Sequence, residues 1–356
     1  MEFTVGQKLQ LSLVKALINA IWALESVTGV RINIPVYPAL YGIYLGVFNT
    51  FLIFLLASFS TDYFAWLGQG IVSGLYPQSG QGNYFQGNNI LGAAIINRDI
   101  PIMVNDIRFP QITADAVLIV DRNNKKTLFE QNSSTRLASA STTKLMTALI
   151  AMEIYDLEDL VTISEECASI DSTRAGLPAG TEYRVRDLLN AMLVSSAGDA
   201  ACALSESKVN TDEFLYKMNQ KAYQLKMDST FFTNAIGLDG YNRAHFSNAS
   251  DLYKLTVAAM ANKTISGIVK TKEYSIKSTD ESYIGSLTTT NQLLWEIPQT
   301  VGVKTGTTVE AGQVLIYEYR DEQKDVVIIV MGSEDRFSDT RSLLNWAFAS
   351  YSWDIK

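Results

Sequence analysis

Between Thr142 and Tyr155, apolar residues (Leu145, Met146, Ala148, Leu149, Ile150, Met152 and Ile154) fall on nearly every side of a helix. A helix without a polar stripe cannot lie on a surface, so this one must be wrapped by the rest of the domain. Lys144 sits in its first turn and Ser141 three residues earlier, a spacing that returns to the same face, so the amine can reach the hydroxyl. An ammonium in such apolar surroundings is partly desolvated, which lowers its pKa toward that of a useful base. Ser141 also opens the helix, where amide N–H groups face a developing negative charge.

Around that helix, Ala114–Asp121 reads as a buried strand, followed by an Asn123-Asn124 turn and a second strand, Lys126–Glu130. Regular structure is expected to begin around Asp106–Pro110. Helices are expected over Val185–Leu204, after a Gly180-Thr181 turn, and over Asp212–Leu225. Strands return at Thr300–Lys304, Gln313–Arg320 and Asp325–Met331, and an amphipathic helix, Asp339–Tyr351, closes the chain. Strands at both ends flanking a helical middle predict an α+β domain: a mostly antiparallel sheet built from the two ends, with a helical lobe inserted.

The N-terminal part is of another kind. No charged residue occurs from Ile32 to Thr61, and Ala39–Phe59 is long enough to cross a bilayer, predicting a transmembrane helix over about 37–60. Lys8, Lys15 and Arg31 precede it and no Lys or Arg follows until Arg98, so the N-terminus is expected in the cytoplasm and the bulk of the chain outside, held by an uncleaved single-pass anchor. Leu9–Leu24 fits an interfacial helix, and Phe64–Tyr76 is too short to span. Pro77–Gly92 has the Gly, Gln, Asn and Ser content of a tether. The expected organisation is a membrane module over 1–76, a tether over 77–105 and a catalytic domain over 106–356.

A net charge of −8 without a Lys/Arg run argues against nucleic acid as a partner, and no phosphate-cradling glycine loop is present. Cys167 and Cys202 are the only cysteines; with no Cys-x-x-Cys and one histidine, they are expected to be packed, unpaired thiols, with neither a metal site nor a disulfide. That lone histidine, His245, lies in a segment, Tyr241–Ser250, that reads as a surface loop. A Ser-His-Asp hydrolase is therefore disfavoured.

Ser-x-x-Lys occurs three times, at Ser12–Lys15, Ser141–Lys144 and Ser205–Lys208, so the motif alone is weak. A distant Lys304-Thr305-Gly306 at the end of an apolar strand adds what a carboxylate-recognising site needs. A cation and a hydroxyl stand side by side, and a glycine lets the strand approach the nucleophile.

At these residues the chain resembles the low-molecular-mass penicillin-binding proteins, the serine-type D-alanyl-D-alanine carboxypeptidases, over about Ile112–Lys356. The resemblance runs through AVLIVD, LASASTTKLMTALIAME, STRAGLPAG, VRDLLNAMLVSSAGDAACAL, FTNAIGLDG, HFSNASDLYKL, GVKTGTTVEAG and RFSDTRSLLNWAF, in the family's order. It implies a β-lactamase/transpeptidase-like fold with Ser141 as nucleophile and Lys144 as base. Ser196 would relay a proton to the leaving amine, the N–H groups of Ser141 and Thr307 would form the oxyanion hole, and Lys304, Thr305, Gly306, Thr307 and Gly198 would bind substrate. The implied substrate is a peptidoglycan stem peptide ending in D-Ala-D-Ala, with β-lactams as covalent inhibitors and no cofactor or metal.

The family's Ser-x-Asn is here Ser196-Ala197-Gly198, so a side-chain amide is missing, and Gly198→Asn is expected to raise the acylation rate. The resemblance also places Ser172, Thr173 and Gly176 in a loop bordering the cleft, and gives Asn234, Gly237, Leu238, Asp239 and His245 structural roles. Two alternatives stand beside this reading: a catalytically weakened penicillin-binding scaffold, and a β-lactamase, against which no Glu-x-x-Leu-Asn string occurs between Gly198 and Lys304. Endopeptidase and transpeptidase activities would use the same residues, and the oligomeric state is left open.

Overall fold

The computed structural model describes residues 100–353 apart from 241–243. The expected membrane module, with its span over about 37–60, and most of the tether lie outside the described residues; among these, no helix is long and apolar enough to cross a membrane.

In chain order, β1 (Ile102–Met103), β2 (Ala116–Asp121) and β3 (Lys126–Gln131) lead through a 3-10 turn, Ala140–Thr143, into α1 (Lys144–Ile154). The middle of the chain holds β4 (Leu160–Thr162), α2 (Glu165–Ser169), β5 (Glu182–Arg184), α3 (Val185–Val194), α4 (Gly198–Glu206) and α5 (Thr211–Gln224). It continues with α6 (Ala249–Ala261), α7 (Lys263–Ile268), a hairpin of β6 (Glu273–Lys277) and β7 (Ile284–Thr288), and the short α8 (Leu293–Glu296). Then come β8 (Thr300–Thr308), β9 (Gly312–Arg320), β10 (Asp325–Ser333), α9 (Arg336–Ser350) and β11 (Tyr351–Ser352).

The main sheet is antiparallel throughout, in the order β3-β2-β10-β9-β8, so the early and late parts of the described domain meet where β2 pairs with β10. Strand periodicity sends alternate side chains to opposite faces. Leu118, Val120, Ile316, Ile329 and Met331 point into a core shared with the helical lobe. Val117, Ile119, Tyr317, Ile328 and Val330 point into a second core capped by Leu343, Leu344, Trp346 and Ala347 of α9. Because both faces are covered, β2 reads as an unbroken apolar run, with every residue buried. Each fully buried aliphatic side chain contributes about 1.5–3 kcal/mol. β8 is an edge strand of this sheet, which leaves it free to form the wall of a cleft.

Three differences from the sequence reading have physical causes. Regular structure starts earlier than Asp106–Pro110: β1 is held by pairing with β11, a partner at the far end of the chain. The helix expected over Val185–Leu204 is two, α3 and α4, broken at Ser195–Ala197, where Ser196 adopts φ +62°. Helix periodicity continues across the break, so the break leaves no trace in the hydrophobic pattern. Finally, Cys167 and Cys202 are not unpaired thiols but form a disulfide between α2 and α4, with Cα atoms 5.4 Å apart. At a sequence separation of 35, only the packing of α2 on α4 brings the sulfurs together.

Candidate active site

Ser141 is presented by the 3-10 turn ahead of α1, whose entry is bent by Ala140 at φ +47°. A non-glycine residue in this region costs about 1–2 kcal/mol, which the surrounding fold must offset. Ser141 is half-buried, whereas Lys144 has no exposed surface. Lys144 Nζ donates to Ser141 Oγ at 2.8 Å and to the Ile236 carbonyl at 2.7 Å. Burial disfavours the cation and lowers the amine's pKa to about 7, against a smaller opposing pull from the Asp199 carboxylate.

His245 holds this turn from behind. Far from lying on a surface loop, it is 2 % exposed; Thr233 N–H donates to its Nδ1 at 3.2 Å, leaving Nε2 to donate to Thr143 Oγ1 at 2.8 Å. Burial pushes the imidazole pKa down to about 4, so at neutral pH the ring is uncharged. Asn234 Oδ1 accepts from the N–H groups of Ile236, Gly237 and Leu238, fixing the loop whose Ile236 carbonyl holds Lys144. Asp239, at the end of that loop, accepts from Thr308 Oγ1 and Glu310 N–H.

The break between α3 and α4 supplies the second hydroxyl. Ser196 is buried, and its Oγ accepts from Lys304 Nζ at 2.9 Å. Lys304 is itself 1 % exposed; burial, and then repulsion from Lys144 and Arg336, hold its pKa well below the ordinary lysine value. Two buried amines in one pocket make simultaneous charging of both unfavourable. Thr305 Oγ1 pairs with Thr290 Oγ1 at 2.6 Å. At Gly306 a Cβ would lie 2.8 Å from Ala140 Cβ and 2.9 Å from Ser141 N, so the strand approaches the Ser141 turn as closely as it does only because no side chain intervenes.

Arg336, not singled out from the sequence, completes the β8 wall. Its Nη1 donates to the Gly306 carbonyl at 2.7 Å and to Thr307 Oγ1 at 2.6 Å, while its buried Nε has no partner among the described residues. It stands in the RFSDTRSLLNWAF stretch, but nothing in its spacing from Lys304 predicts that α9 starts beside β8.

Ser141, Lys144, Ser196, Lys304, Thr305, Gly306 and Thr307 therefore lie in one connected cluster. The other Ser-x-x-Lys among the described residues does not form a pair: Ser205 Oγ donates to the Cys202 carbonyl, and Lys208 bridges to Asp159. Cys167, Cys202 and Glu206 lie close together, but two sulfurs joined to each other offer no thiolate to a metal.

Gly198 requires a correction. Its N–H donates to the Thr173 carbonyl at 2.6 Å, and a Cβ there would meet Ser172 Oγ at 2.6 Å and Ser172 Cβ at 2.8 Å. An asparagine cannot enter without displacing Ser172, so Gly198→Asn by itself is not expected to accelerate acylation. The loop is pinned in place because the Asp199 carboxylate accepts from the N–H groups of Ala175, Gly176 and Leu177.

Comparison with known proteins gives a consistent result. The family model described as D-alanyl-D-alanine carboxypeptidase matches residues 103–335. The chain is 32% identical over 248 residues to the D-alanyl-D-alanine carboxypeptidase DacF of Bacillus subtilis (strain 168), covering 67% of this chain and 63% of that protein. It is 32% identical over 262 residues to the D-alanyl-D-alanine carboxypeptidase of Streptomyces sp. (strain K15), covering 67% of this chain and 89% of the relative. Among solved structures, the DD-transpeptidase of Streptomyces K15 superposes with a TM-score of 0.64 at 31% identity, covering 68% of this chain and 100% of that one. A penicillin-binding protein homologue from Mycobacterium tuberculosis gives 0.64 at 27% identity, covering 69% and 95%.

Proposed function

Because the chain belongs to the D-alanyl-D-alanine carboxypeptidase family, we propose that it is a serine carboxypeptidase that removes the terminal D-alanine from peptidoglycan stem peptides through an acyl-enzyme. The observation that carries this reading is the 2.8 Å contact between Lys144 Nζ and Ser141 Oγ, made by an amine that burial keeps near neutrality.

Lys144 takes the Ser141 proton as Oγ attacks the penultimate carbonyl. Charge developing on the carbonyl oxygen as its π bond opens meets the N–H groups of Ser141 and Thr307. The C–N bond then breaks, and the proton passes through Ser196 to the departing amine of D-alanine. Water, deprotonated in turn, hydrolyses the ester and restores the serine. Lys304, Thr305 and Arg336 form a donor-rich wall suited to the substrate's terminal carboxylate. A bound carboxylate favours the charged form of Lys304, which by repulsion keeps Lys144 neutral and basic.

The same reading puts the catalytic domain outside the cytoplasmic membrane, tethered by the uncharged stretch of Ile32–Thr61. The Cys167–Cys202 disulfide supports an oxidising compartment. β-Lactams, as mimics of the terminal dipeptide, are expected to acylate Ser141.

Incubating the purified full-length protein with a stem pentapeptide and assaying free D-alanine tests the reading, with Ser141→Ala as control. Equal release by both proteins would refute it. The likeness to a DD-transpeptidase favours a second outcome, aminolysis of the same acyl-enzyme. Adding an acceptor amine and looking for the exchanged peptide separates it from hydrolysis.

A further inference from the structure

The loop between α2 and β5 contributes a half-buried hydroxyl that the catalytic cluster leaves free. Ser139, Ser141, Thr142, Thr143, Ser196 and Thr305 each have their side-chain oxygen engaged by a neighbour. Ser172 Oγ, half-buried, has no hydrogen-bond partner among the described residues. A half-buried hydroxyl in a well-fixed place is an unfilled donor and acceptor, available to whatever enters beside it.

Its place is well fixed. Gly198 N–H binds the Thr173 carbonyl, the Asp199 carboxylate binds three successive N–H groups from Ala175 to Leu177, and Tyr283 OH donates to the Ala175 carbonyl at 2.8 Å. The disulfide ties α2, from which the loop departs, to α4. Ser172 is packed so closely on the Gly198 Cα that a Cβ there would fall 2.6 Å from its Oγ. The space that a side chain at the start of α4 would fill, two residues beyond Ser196, is thus taken by a loop serine. Across the cleft stands β8, whose free edge offers backbone to an extended peptide.

We propose that Ser172 is a substrate-positioning residue: its hydroxyl hydrogen-bonds a backbone amide of the stem peptide on the α4 side of the cleft, a contact that this chain draws from the loop because Gly198 leaves the room. The proposal rests on the acyl-enzyme reading above. It requires Gly198 to stay small, and it makes the two positions interdependent.

The test uses full-length protein and measures kcat and KM for D-alanine release from a pentapeptide, with melting temperature as the fold control. Ser172→Ala is expected to lower kcat/KM by about fivefold to tenfold, the effect of one neutral hydrogen bond, at an unchanged melting temperature. Ser172→Thr, which keeps the hydroxyl, is expected to restore most of that loss. Gly198→Ala, whose Cβ pushes Ser172 aside, is expected to reproduce it. The double variant Gly198→Ala/Ser172→Gly relieves the clash, so melting should recover while activity stays low. Unchanged kcat/KM in Ser172→Ala, or full activity in the double variant, overturns the proposal while leaving the enzymatic reading intact. Absence of D-alanine release from the unmodified protein, or equal release by Ser141→Ala, sinks both.

Discussion

Lys304 Nζ meets Ser196 Oγ at 2.9 Å although the two residues stand 108 positions apart, one on the edge strand of the sheet and the other in a left-handed turn of the helical lobe. Truncating Ser196 to alanine leaves a buried amine short of one of its two partners and removes the proposed proton route to the leaving group. The second-order rate of labelling by a fluorescent penicillin should fall by about tenfold to a hundredfold, or about 1.4–2.8 kcal/mol. A labelling time course indistinguishable from that of the unmodified protein would count against the assigned relay.

The pH dependence of acylation should report Lys144. Below a pKa of about 7 the amine is increasingly protonated and cannot accept the serine proton, so log(kcat/KM) should rise with unit slope from pH 5 and level off above about 7. Lys144→Arg, charged at every accessible pH, should be inactive across the whole range. A flat profile between pH 5 and 8 would remove Lys144 from the role of base.

His245 should make stability, rather than chemistry, sensitive to acid. Its folded pKa of about 4 lies below the ordinary 6.5, so between these values the unfolded chain binds the proton more readily. The stabilisation is full above pH 6.5, declines as pH falls toward 4, and changes no further below that. The difference amounts to about 3 kcal/mol at most. Comparing chemical denaturation midpoints of the unmodified protein and His245→Gln over this window checks it, since the variant should lack this share of the slope.

Removing the disulfide should cost stability first. Closing a loop across the 35-residue separation of Cys167 and Cys202 restricts the unfolded chain by about 4 kcal/mol in the entropic picture. Cys167→Ser/Cys202→Ser should therefore melt lower, and reductant should shift the unmodified protein in the same direction but leave the variant unmoved. Identical melting with and without reductant would mean that the bond is not formed in solution.

The parts of the fold that were readable in the sequence are those set by local pattern. The apolar run of β2, the encased α1 and the three C-terminal strands follow from periodicity, and Ser141, Lys144 and Lys304 from residue types placed on those elements. What was not readable depends on elements meeting in space. The break at Ser196 is imposed by tertiary contacts on a stretch that is helical by pattern, and the Cys167–Cys202 bond needs α2 laid across α4. Arg336 matters only because α9 begins beside Gly306 and Thr307. The segment around His245 reads as a surface loop, whereas Thr143 and Thr233 draw the ring inside. The consequence of Gly198 could not be judged without knowing what lies against it.

The pairing of β2 with β10 also governs when the chemistry can begin. Contacts between distant parts of a chain form slowly, because a long loop must close before they are rewarded. A polypeptide interrupted between Ser141 and Lys304 carries the serine without the strand that faces it, and the hydrophobic face of β2 without its cover. Such fragments are thus expected to be idle as well as sticky, and competence should arise in a single step, once β8 to β10 have joined the sheet.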